Sequence, residues 1–103
     1  MDRLGRNVPL PDPMQGCWVD ADDQASELSI NGGEIFCFGK VVEYDYKLIR
    51  EEGGALTVSL KVNDQANEDT FQRANITELV VTPEGDFHAY NTQFASQFVR
   101  EVG

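Results

Sequence analysis

Two adjacent stretches constrain this chain most: "VVEYDYKLI" (41–49) and "ALTVSLKV" (55–62) alternate apolar and polar residues with a period of two. Only a strand with one buried face satisfies that pattern over such a length. In the first, Val42, Tyr44, Tyr46 and Leu48 alternate with Glu43, Asp45 and Lys47. In the second, Leu56, Val58, Leu60 and Val62 alternate with Thr57, Ser59 and Lys61. "EEGG" (51–54) turns the chain between them, which predicts a hairpin. The same period recurs in "ELSI" (27–30), with Leu28 and Ile30 on one face, and "NGG" (31–33) leads into "EIFCF" (34–38). Later, Leu79 and Val81 alternate with Glu78 and Val80, "PEGD" (83–86) has turn chemistry, and "FHAY" (87–90) pairs back.

Seven or eight short strands joined by hairpins predict an all-β fold, an antiparallel up-and-down meander that forms a small barrel or a strongly curved sheet. "NDQANED" (63–69) reads as a polar loop, and no segment reads as a helix strong enough to interrupt the strands. In the tail, Phe94, Phe98 and Val102 stand at helical spacing, whereas Phe98, Arg100 and Val102 fit a strand; a last strand from Phe98 is expected. Pro9, Pro11 and Pro13 mark residues 1–14 as an extended leader that adds little to the core, with the barrel domain in residues 15–103.

A chain of 103 residues, 41% apolar and 25% charged, has the composition of one globular domain. Its charge separates classes of partner. Eight basic residues against 18 acidic ones give −10, and residues 20–52 alone hold nine acids and three bases. Phosphate backbones and anionic membranes need the opposite sign, so neither nucleic acid nor membrane is expected. A basic protein is compatible, because complementary fields speed encounter. No secretory pattern opens the chain and no apolar run reaches a membrane span, so a cytoplasmic location is expected.

"GCW" (16–18) opens the first long strand, and "LSINGGEI", "YDYKLI", "GGALTVSL" and "LVVTPEGDFHAY" follow before "FVR" (98–100) closes. That order resembles the calycin-type small barrels, the lipocalin-like and avidin-like meanders. The resemblance implies that Trp18 lies inside the closed end, with Arg100 packed across its indole, and that a ligand pocket is the inherited use of the fold.

An eight-stranded barrel is just wide enough to be filled by side chains or to hold one small ligand. The expected inward set is Trp18, Leu28, Ile30, Phe36, Phe38, Tyr44, Tyr46, Leu48, Phe87 and Phe98, bulky enough that a mostly filled interior is expected. Within it, Phe36, Phe38, Tyr44, Tyr46 and Phe87 are the candidates for lining an apolar pocket at the barrel mouth. Asp20, Asp22, Asp23, Glu43 and Asp45 are the candidates for meeting a basic partner.

Chemistry finds less support. In EF-hand register, Asp20, Asp22 and Gln24 would take positions 1, 3 and 5, but Ala25 stands where Gly is needed and Asn31 where a bidentate Glu is needed. No metal and no cofactor is therefore expected. Cys17 and Cys37 form no C-x-x-C and are expected to be reduced and buried. His88, the one histidine, alternates with Phe87 and Ala89 and should face solvent or a rim. No nucleophile, phosphate-loop or dinucleotide motif is present. The expectation is a non-enzymatic binding module, an inhibitor- or immunity-type protein that docks a basic partner. The alternative is a carrier of a small apolar ligand.

Overall fold

The alternating segments become strands, except that residues 42–45 form a connection within the first of them. The structure, a computed structural model, describes residues 4–23, 25–37, 40–74, 76–91 and 95–100. Its strands are β1 (Leu4–Gly5), β2 (Gly16–Asp20), β3 (Glu27–Asn31), β4 (Glu34–Cys37), β5 (Lys40–Val41), β6 (Tyr46–Glu52), β7 (Ala55–Lys61), β8 (Glu78–Val81), β9 (Phe87–Tyr90) and β10 (Ala95–Arg100). A helix, α1 (Gln65–Ala74), joins β7 to β8. Every pairing is antiparallel, in the order β1-β6-β7-β8-β9-β10-β2-β3-β4-β5. The count is ten where seven or eight were expected, because β1 and β5 are extra two-residue strands.

The sheet is strongly curled. β10 pairs with β2, and residues 42–45 carry the chain from β5 at one margin to β6 beside the other. β1 covers the start of β6 at Tyr46 and Lys47, and β5 covers the end of β4 at Phe36 and Cys37. Turn chemistry sets the register. Gly53 and Gly54 have φ of 61° and 87°, the two positive values of a type I′ turn, and pair Glu52 with Ala55. Gly85, at φ 92°, closes the β8–β9 turn, where the Thr82 hydroxyl accepts from the Asp86 N–H.

Two parities differ from the sequence expectation. The β3–β4 turn is only Gly32-Gly33, so Asn31 pairs with Glu34 and Ile30 with Ile35. Paired residues share a face; Ile35 and Cys37 therefore point inward and Phe36 points out, 41% exposed. On the second run, Val42 and Tyr44 are buried, but Tyr46 and Leu48 are only half-buried while Lys47 is fully enclosed. The cause is an extra residue: the Asp45 N–H donates to Lys61 O, and Tyr46 also stands opposite Lys61. Such a bulge reverses every side chain beyond it. Phe38 lies outside the described residues, as do Phe94 and Val102.

α1 replaces part of the expected polar loop. Asp64 Oδ1 accepts from the Ala66 N–H at its start, Asp69 and Arg73 pair at 2.8 Å, and Asn91 Nδ2 donates to Gln72 O near its end. Phe71 and the following Ile76 reach the core. The last strand begins at Ala95, earlier than the expected Phe98.

Residues 4–15 are no loose leader. Leu10 and Met14 belong to the core at 2% and 0% exposure, contrary to the expectation that residues 1–14 add little to it. β1 pairs with β6, the Leu10 N–H donates to Gly32 O, and Gln15 bonds Leu10 O and both the N–H and O of Gly32. This segment straps the β6 margin to the β3–β4 turn. Gly33 has no side chain because the strap is there: a Cβ would lie 1.9 Å from Arg6 O.

Candidate binding site

The interior is filled from its centre outward. Trp18 is 5% exposed and meets the Phe87 ring edge-on, centroids 4.5 Å apart, and Phe87 in turn contacts Phe98 at 6.3 Å. The indole N–H donates to Met14 O at 3.1 Å, so the strap satisfies its one polar atom. Arg100 lies across the ring with its guanidinium carbon 4.1 Å from the centroid. Its Nη1 donates to Gln15 O and its Nη2 to Pro13 O, again on the strap. Gly16, at φ 115°, leaves the space that Arg100 occupies. The expected Trp18–Arg100 stack is thus present, and it also fastens the N-terminal strap.

Toward the strap's other end, Tyr44 and Lys47 form a buried polar knot that the sequence did not suggest. Lys47 Nζ donates to Gly5 O and Val8 O and reaches Tyr44 Oη at 3.2 Å, so each of its three N–H groups has an acceptor. The Tyr44 hydroxyl donates to Gly33 O. Burial lowers the Lys47 pKa, and burial pushes the Tyr44 phenol up to about 12, with Glu34 adding to the rise and Arg6 opposing it. The knot holds backbone to backbone.

The five candidate pocket residues are not brought together. Phe87 is core, Tyr44 is committed to Gly33, Tyr46 is half-buried on the outward parity, Phe36 is on the outer face and Phe38 lies outside the described residues. Two grooves open at the surface instead, one of them lined in part by the core residues Trp18 and Phe98. A groove of 430 Å³ runs over the outer face between Gln15, Cys17, Ser29 and Phe36, and another of 360 Å³ lies beside Pro13, Gln97 and Arg100.

The five candidate acids are all on the surface, held without cations. Asp20 and Asp23 accept backbone N–H groups within the β2–β3 loop, and Asp45 accepts the Asn63 N–H at 2.8 Å. Asp22 and Glu43 are exposed. Among the described residues, the ion pairs are Arg6–Glu34 and Asp69–Arg73, and neither involves these five.

The cysteines divide between the two faces. Cys37 is buried, which pushes its thiol up to about 12, while Cys17 is exposed, contrary to expectation, because it neighbours inward-facing Trp18 on β2. Both are free, on opposite faces of the sheet. His88 is on the outward parity, stacked on Tyr90 at 6.3 Å. Among the described residues, no three His, Cys, Asp or Glu side chains gather as metal ligands would, and no helix is long and apolar enough to cross a membrane. No family model, curated protein or solved structure matches this chain.

Proposed function

We propose that this chain is a calycin-like, non-enzymatic binding module of the cytoplasm, whose acidic outer surface docks a basic protein. The observation that carries this reading is the set of exposed carboxylates Asp22, Asp23, Glu43 and Asp45, with Asp20 half-buried beside them, none of them ion-paired among the described residues, on a chain of net charge −10. Folding leaves their charge unneutralised, and it steers a basic partner to the surface. The packed interior supports the same conclusion. Trp18, Tyr44, Phe87 and Phe98 occupy the volume that a carrier would keep for its ligand. Calycin-like character is supported by the Gly16-x-Trp18 opening, by Arg100 over the indole and by the pairing of β10 with β2.

Salt tests the reading. Proteins captured by the immobilised chain at low ionic strength are expected to be basic, with association rates falling about tenfold or more between roughly 20 and 150 mM salt. Captured partners without basic character, or a rate indifferent to salt, would defeat it.

A further inference from the structure

The outer face of β10, β2, β3, β4 and β5 carries side chains that a solvated sheet face ordinarily lacks. Register places Cys17, Ser29, Phe36 and Val41 opposite one another in a row across four strands, with Val19 facing Val99 beside it. Phe36, Val41 and Val99 are 41%, 37% and 42% exposed, three of the four large apolar side chains left open among the described residues. The 430 Å³ groove lies within this row, where the small side chain of Ser29 stands between Cys17 and Phe36. Elsewhere the outer face mixes polar and apolar side chains: Arg50 pairs with Thr57 and Ser59 with Glu78, beside Leu48, Val80 and Tyr90.

Carboxylates edge the apolar row. Glu27 is the cross-strand partner of Val19, Glu34 stands two residues before Phe36, and Glu43 two after Val41, all on the outward side. Of these, Glu34 has a cation, Arg6 at 3.3 Å. An apolar centre within a polar rim is the anatomy of a protein interface. We infer that this face docks a protein that inserts a large apolar side chain between Cys17 and Phe36 and sets Arg or Lys residues against Glu27 and Glu43. The inference rests on the acidic-docking reading and names where on the surface that docking occurs. A second copy fits less well, since it would bring carboxylate rims together on chains of charge −10.

The probe is a random peptide library displayed on phage and panned against the intact chain at low salt. The expected winners carry Arg or Lys around a Trp, Phe, Leu or Ile. As synthetic peptides they slow alkylation of Cys17 by iodoacetamide, and they lose about tenfold or more in affinity to Phe36→Ser. Phe36 is exposed, so that variant should keep the parent melting temperature; Ser29→Trp, which fills the groove from the neighbouring strand, should block binding as well. Basic peptides that bind Phe36→Ser equally and leave Cys17 reactive would overturn the inference while the acidic-docking reading stands. Winners that protect Cys17 but show no basic enrichment would overturn both. A library without winners, or a dimer in sedimentation that Phe36→Ser dissolves, would also overturn the inference.

Discussion

At the residue scale, Trp18 joins three parts of the molecule. Its ring packs on Phe87, its N–H holds Met14 and its face supports Arg100. Trp18→Ala is expected to cost about 3–5 kcal/mol, a large share of a small domain's stability. Arg100→Ala should cost less, about 1–2 kcal/mol, and a double-mutant cycle in urea should show the two residues coupled. A second residue-scale expectation concerns alkali. Burial pushes both the Cys37 thiol and the Tyr44 phenol up to about 12, from ordinary values of 9.0 and 10.0. The unfolded chain loses these protons first, so their contribution is full below about pH 9 and declines as the pH rises toward 12. Lys47 opposes them: its folded pKa lies below 10.5, so the native state sheds that proton first and gains stability as the pH rises through the interval. Urea midpoints measured across this window should fall less steeply in Cys37→Val than in the parent chain.

At the element scale, the strap is the test of what a proline-rich start can do. Removing residues 1–13 takes away Leu10, exposes the Trp18 end of the core and strips Lys47 of the Gly5 and Val8 carbonyls. A fall of many degrees in melting temperature is expected. Lys47→Met should loosen the strap more selectively, at about 1–3 kcal/mol for carbonyls left without donors, and hydrogen exchange at Val8 and Leu10 should speed up. The strands themselves were legible where period two runs unbroken: Leu56, Val58, Leu60 and Val62 all turn toward the core. Phe36 was misread for want of one count. A two-residue turn pairs Ile30 with Ile35, and "NGG" contains that turn if Asn31 is given to the strand. Lys47 had no such cue, because a bulge is set by the Asp45–Lys61 bond and leaves no mark on apolar spacing. α1 was hidden differently. Its stability comes from the Asp64 cap and polar pairs four apart, with Phe71 as its contact with the core, so an apolar stripe was absent. Asp64→Ala should cost about 1 kcal/mol, read as a shift in the urea midpoint. Of the proposed binding surface, charge was legible and position was not, since the exposed row appears only once β2 to β5 are in register.

At the scale of the whole molecule, β10 lies between β9 and β2, and so joins the late half of the meander to the early half. Pairings that distant in sequence carry a large loop-closure cost before any contact repays it, which places folding in the slow, millisecond-to-second range of β proteins. For a chain emerging from the ribosome, the early hairpins can pair locally and still have no closed sheet until β10 is free to pair with β2. Throughout that wait, the nascent chain exposes apolar faces and relies on its own negative charge to keep neighbouring copies apart. A surplus of acid thus has a consequence before any native surface exists: it opposes the association of partly folded copies.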